Sequence, residues 1–161
     1  MDIEKSITLE IGCGTCQFAP YLGLSKLYVP TDIILKYLIN ASKTSPGNHV
    51  LMSADSISFA DGTFDNVVVI ATLHHLSEEM IILMLKESKR VLNDEGYVHI
   101  IDAILPDNKL NFIKYLLLKM DRGEYVRTYD QLYQILNNNQ QIIHSEILNS
   151  FPQNTCYFKL K

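Results

Sequence analysis

A chain of 161 residues with 47% hydrophobic content is long enough to bury one core and too short for two ordinary domains, so it reads as a single domain over residues 1–161. A formal net charge of -4 leaves no broad positive field for bulk nucleic acid. The opening Met1-Asp2-Ile3-Glu4-Lys5 lacks the basic and apolar regions of a signal peptide, no apolar run is long enough to cross a bilayer, and the three cysteines cannot all pair. A cytoplasmic, reducing setting is expected.

Short apolar runs alternate with amphipathic stretches along the chain, the order of βαβ units with parallel strands. The first strand is predicted at residues 7–11 and is closed by a glycine turn. Residues 26–29 read as a second strand, 49–52 as a third, 66–71 as a fourth and 97–101 as a fifth. Val67, Val68, Val69 and Ile70 are four β-branched residues in a row, which suits a central strand buried on both faces.

Between the fourth and fifth strands, Ser77 is placed to cap a helix with Glu78 and Glu79 in its first turn and Lys89 and Arg90 in its last, each sign suited to its end of the dipole. Phe112, Ile113, Leu116, Leu117 and Met120 recur at helical spacing, and Thr128-Tyr129-Asp130-Gln131 has the form of a capping box. The tail, 142–148 and then Cys156, Phe158 and Leu160 alternating with Tyr157, Lys159 and Lys161, predicts an antiparallel hairpin turning through 151–154.

Glu10-Ile11-Gly12-Cys13-Gly14-Thr15-Cys16 follows directly on the first strand. Glycines there let backbone amides approach a ligand that a Cβ would push away, so a nucleotide-like ligand is expected. The dinucleotide fingerprint wants a small residue where Gln17 stands, which weakens a nicotinamide reading. Asp32 ends the second strand about 20 residues on, the spacing of an acid that accepts ribose hydroxyls. Asp55 and Ser56, after the third strand, add an acceptor and a hydroxyl at the carboxyl edge, where open sheets bind ligands.

Leu9-Glu10-Ile11-Gly12-Cys13-Gly14-Thr15, Tyr28-Val29-Pro30-Thr31-Asp32-Ile33, Ser53-Ala54-Asp55, Phe59-Ala60-Asp61-Gly62-Thr63-Phe64-Asp65 with Leu73-His74-His75-Leu76, and Arg90-Val91-Leu92-Asn93-Asp94-Glu95-Gly96 together resemble, in order and in register, the class I S-adenosylmethionine-dependent methyltransferases of the type 11 kind. The resemblance spans roughly residues 6 to 105 and implies an α/β fold: a Rossmann-like, doubly wound, mostly parallel sheet of seven strands in the order 3-2-1-4-5-7-6 with an antiparallel C-terminal hairpin.

By the same resemblance, Gly12, Cys13 and Gly14 pass beneath the methionine part of S-adenosylmethionine with Glu10 close by. Asp32 and the neighbouring Ile33 take the ribose, Asp55 and Ser56 border the adenine, and Thr72 flanks the sulfonium. His74 and His75 stand near the transferable methyl group, either as a general base toward a small-molecule acceptor or in a structural or capping role. Tyr115, Arg122, Tyr125 and Arg127 are candidates for a substrate-facing segment, although a solvated face paired with Asp121 and Glu124 accounts for them more simply.

Three features depart from the family pattern. Cys16 stands where a third glycine is usual, Pro30-Thr31 precedes the ribose acid, and Asp94-Glu95-Gly96 replaces a Pro-Gly-Gly turn. The chain also begins almost at its first strand, so a domain without the preceding cap helices is expected. A second reading follows: a non-catalytic subunit of this fold, working as a homodimer or with a partner. Cys13-Gly14-Thr15-Cys16 is also a C-x-x-C, which allows a redox pair or, joined by His74 and His75, a zinc set; the leading expectation holds no metal.

Overall fold

The computed structural model describes residues 5–22, 24–45, 47–106, 124–148 and 154–161. Strand β1 (Ile7–Ile11) is the predicted first strand to the residue, and the glycine turn leads from it into a short helix, α1 (Ala19–Leu22). Strand β2 (Leu27–Asp32) runs past the predicted 26–29 as far as Asp32, and helix α2 (Leu35–Ala41) leads to a brief β3 (Val50–Leu51). Strand β4 (Phe64–Ile70) contains the β-branched run, of which Val67 and Val69 are fully buried.

A 3-10 turn (Leu73–His75) precedes helix α3 (Glu78–Val91), whose N-cap is the predicted Ser77, its side chain accepting from Met80 N. Strand β5 (Leu92–Leu105) starts five residues before the predicted Tyr97. Leu92 pairs with Phe64, the register then slips, and regular pairing resumes at Asn66 with Tyr97. The turn expected at 94–96 is therefore a bulged stretch of strand.

A two-residue strand, β6 (Arg127–Thr128), pairs with the end of β5 and opens helix α4 (Tyr129–Asn137). The capping box forms as predicted: the Thr128 side chain accepts from Gln131 N, and the Gln131 side chain accepts from Thr128 N. Strands β7 (Ile142–Leu148) and β8 (Thr155–Leu160) make the antiparallel hairpin, with Cys156, Phe158 and Leu160 facing inward at 0% exposure. The helix expected around 112–120 and most of the 151–154 turn lie outside the described residues.

The sheet order is β3-β2-β1-β4-β5-β8-β7, with β6 beside β5. Setting aside the two-residue β6, this is the expected seven-strand order; the sheet has eight strands because β6 adds one. All pairings from β3 to β5 are parallel, and β8 joins β5 antiparallel. One face packs Ile81, Met84 and Leu85 of α3 and Leu132 and Leu136 of α4 onto Leu9, Val67, Val69, Val98 and Ile100. The other packs Ala19, Leu22, Leu38 and Ala41 with Cys13, Cys16, Tyr28 and Val68. Each buried Val, Leu, Ile or Met among these stabilises the fold by about 1.5–3 kcal/mol before chain entropy is counted.

Because β1 connects to β2 on one side and β4 to β5 on the other, the chain reverses its winding between β1 and β4. Their carboxyl ends therefore diverge and leave a crevice, the place where open α/β sheets seat ligands. Residues 12–16 and 71–75 border that crevice. Arg90 fastens the non-helical stretch before β4: its guanidinium donates to Ile57 O, Phe59 O and Asp61 Oδ1 while also pairing with Glu87.

Candidate functional site

The bend after β1 has positive φ at every second residue: Gly12 (+72°), Gly14 (+54°) and Cys16 (+58°). The two glycines serve different ends. A Cβ on Gly12 would stand 2.4 Å from Thr72 Oγ1, whereas one on Gly14 would meet nothing within 4 Å. At Gly12 the absent side chain makes room for Thr72 from the exit of β4, and at Gly14 it leaves backbone open to a ligand.

Asp32 holds this bend. Its Oδ2 accepts from Gly14 N at 2.8 Å and its Oδ1 from Ile34 N at 2.7 Å. A carboxylate offers about four lone-pair sites, so two remain for hydroxyl donors from a ligand at the strand tip. Ile33, next along, is an apolar residue 68% exposed.

Glu10 lies below the bend, 1% exposed, and accepts the Tyr28 phenol proton. Burial pushes its carboxyl up, the Tyr28 hydrogen bond opposes this, and the nearby Asp32 charge adds to it. The Tyr28 hydroxyl is pushed up as well, by burial and by Glu10. The structure thus gathers Glu10, Cys13, Gly14 and Asp32 into one cluster under and around the bend. Asp55 and Ser56 stand apart from it, in the turn after β3: the Ser53 hydroxyl donates to Asp55, and Ser56 is exposed. Their link to Asp32 runs through the backbone, Asp32 pairing with Leu51 and Met52 N donating to Asp32 O at 3.0 Å.

Across the crevice, the Thr72 hydroxyl lies within hydrogen-bonding range of Ile70 O, Gly12 O and Ile11 O (3.0–3.4 Å). Ala71, just before it, has φ +50°, so the non-glycine residues with positive φ among those described, Cys16 and Ala71, sit at the two strand exits that face each other. Such conformations cost about 1–2 kcal/mol each and collect at functional sites. His74 is buried with its Nδ1 2.6 Å from Asp102 Oδ1, while His75 is exposed, its ring centroid 4.1 Å from that of His74.

A family model described as a methyltransferase domain matches residues 9–100. The chain belongs to the methyltransferase domain family. The methyltransferase domain has no sequence match among curated proteins, but its fold recurs among solved structures. A protein from Pyrococcus horikoshii is 18% identical at a TM-score of 0.77, over 98% of this chain and 82% of that one. A SAM-dependent methyltransferase from Aquifex aeolicus is 19% identical at 0.75, over 99% and 85%. The complex of a Haloferax volcanii methyltransferase with the Trm112 methyltransferase activator gives 11% and 0.79, over 99% and 83%.

Asp102, three residues before the carboxyl end of β5, is a residue of this methyltransferase domain that sequence reasoning missed. It is 2% exposed and accepts from Leu73 N, His74 N and Ala103 N as well as meeting the His74 ring. An acid directly after the apolar pair Ile100-Ile101 that closes the predicted fifth strand was the available signal. Arg127, a substrate-segment candidate, directs its guanidinium to the carbonyls of Leu73, Leu76 and Tyr125, and Tyr125 N donates to His74 O. Both therefore brace the histidine turn. Tyr115 and Arg122 lie outside the described residues. No three metal-capable side chains converge among the described residues, and no helix among them is long and apolar enough to cross a membrane.

Proposed function

We propose that this methyltransferase domain binds S-adenosylmethionine along the bend after β1 and transfers its methyl group to a small molecule. The observation that carries the reading is the open backbone of Gly14 tied to a carboxylate that keeps free acceptor sites for a ribose diol. When bound, S-adenosylmethionine supplies an electrophilic methyl group at the crevice between β1 and β4. Asp32 with Ile33 holds the ribose, Asp55 and Ser56 border the adenine, and Gly12, Cys13 and Gly14 run beneath the amino-acid part, with Glu10 as buried support and Thr72 at the methyl end.

Rate enhancement then comes mainly from holding the nucleophile in line with the methyl carbon. Where the acceptor carries a proton, the exposed His75 is the group that receives it, and His74, buried against Asp102, fixes the turn on which His75 stands. Isothermal titration with S-adenosylhomocysteine tests the cofactor half of this reading. Binding is expected, with at least about tenfold loss on Asp32→Ala and a smaller loss on Asp32→Asn, which retains one acceptor. No binding at millimolar ligand overturns it.

A second reading, a subunit that works as a homodimer or beside a partner, is supported by Tyr21, Ile33, Ile34 and Leu35, apolar residues 44–70% exposed around the bend, and by a fold match that is itself bound to an activator. Methyl transfer that requires an added partner chain favours it.

A further inference from the structure

The bend carries two thiols, Cys13 and Cys16, whose sulfur atoms have no part in the cofactor reading. Cys13 and Cys16 are 6% and 4% exposed and lie in one cluster with Ala19, Leu22 and Tyr28. The segment between them is a tight turn closed by Cys16 N donating to Cys13 O at 2.8 Å, and Cys16 is near enough to add to the burial that pushes the Cys13 thiol up. Both are reduced, as is Cys156.

Cys16 also stands at φ +58°, where glycine would be free of the cost of about 1–2 kcal/mol that a Cβ brings. Strain kept where glycine would remove it points to a use for the side chain. Here the strained side chain is a thiol, it shares a buried cluster with the other thiol of a C-x-x-C, and the turn they close includes Gly14, whose N–H meets Asp32.

We infer that Cys13 and Cys16 form a thiol–disulfide switch on the cofactor bend, resting on the reading that this bend seats S-adenosylmethionine. The oxidant is a low-molecular-weight disulfide. One cysteine thiolate attacks it, forming a mixed disulfide and expelling the first thiol; the second cysteine attacks the protein sulfur and expels the other. The pair loses two protons and two electrons, and the oxidant's S–S bond takes up both to become two thiols.

A disulfide requires its Cβ atoms about 3.5–4.5 Å apart at a fixed torsion. Meeting that inside a four-residue turn re-aims Gly14 and Thr15, pulling the Gly14 N–H from Asp32 and reshaping the ligand-facing backbone. Burial pushes the Cys13 thiol up, so exchange proceeds through opening of the bend and is slow. By reciprocity, ligand that binds the reduced bend more tightly than the oxidised one raises the reduction potential of the pair.

The test incubates the full chain with oxidised glutathione or with dithiothreitol and reads three things: peptide mapping, the free-thiol count in denaturant, and S-adenosylhomocysteine affinity. A Cys13–Cys16 disulfide is expected, leaving the one thiol of Cys156 from three, with affinity falling about tenfold or more and returning on reduction. In Cys16→Gly, oxidant leaves affinity where it was without oxidant. A native chain that forms no Cys13–Cys16 disulfide, or whose oxidised form binds as tightly as its reduced form, overturns the switch alone. Reduced protein that binds no S-adenosylhomocysteine overturns the cofactor reading and the switch with it.

Discussion

The carboxylate of Asp102 and the imidazole of His74 lie 2.6 Å apart with their side chains 1% and 5% exposed. This contact joins the end of β5 to the turn after β4. The same carboxylate takes the amides of Leu73 and Ala103, each at 2.6 Å, so its removal orphans several buried groups at once. Asp102→Ala is expected to cost about 3 kcal/mol or more, read as a lower urea midpoint at unchanged slope. His74→Asn, which keeps a donor near the Nδ1 position, costs less. An Asp102→Ala chain within about 1 kcal/mol of the parent contradicts this account.

Gly12 and Thr72 form a second cross-strand contact in which the space is already filled. Gly12→Ala places a methyl 2.4 Å from Thr72 Oγ1 at φ +72°, so steric and conformational costs add. Thr72→Ala in the same chain should return the steric part and leave the backbone part, about 1–2 kcal/mol. A double-mutant cycle on urea midpoints measures the difference, and additive effects of the two changes would show that the side chains do not meet.

Glu10 makes stability depend on pH. Burial holds its folded carboxyl above the ordinary 4.5, with the Tyr28 bond opposing and Asp32 reinforcing. A raised acid contributes stability that is fully present below about 4.5 and is lost as pH rises through the folded value. Glu10→Gln keeps an acceptor for the Tyr28 hydroxyl and carries no charge. Its stability relative to the parent should therefore grow as pH is raised from 4.5 toward 8; a gap that stays constant over that range would refute the buried-charge argument.

His99 works in the opposite sense. Burial and the nearby Lys159 hold its ring down to about 4 from the ordinary 6.5, while its nitrogens meet Tyr157 Oη at 2.9 Å and Asn66 Oδ1 at 3.3 Å. The stability it contributes is present above 6.5 and is lost as pH falls through about 4. The His99 ring resonances are expected to titrate near 4, and His99→Gln should flatten the acid limb of the unfolding curve between these pH values. A midpoint near 6.5 in the folded protein would mean that the ring is not confined as described.

Much of this was legible in the sequence because it is local. The bounds of β1, the β-branched centre of β4, the Ser77 cap, the Thr128–Gln131 capping box and the inward alternation of Cys156, Phe158 and Leu160 each follow from residues within one turn or one pleat of each other. The early start of β5 was not legible: Leu92 extends because Phe64, far back in the chain, offers it a partner. Arg127 similarly looked like a solvated or substrate-facing charge until the carbonyls of Leu73 and Leu76 were beside it.

Taken alone, the order of residues determined the kind of fold, the strand that ends in glycines and the acid about 20 residues beyond it, since hydrophobic period, turn chemistry and spacing are written along one dimension. Only the folded chain decided that Gly12 makes room for Thr72 while Gly14 stays open, that Asp102 takes the His74 ring, and that Cys13 and Cys16 share one buried cluster. Those outcomes join residues up to 60 positions apart. They depend on which strand tips the sheet order sets side by side, and no local pattern carries that information.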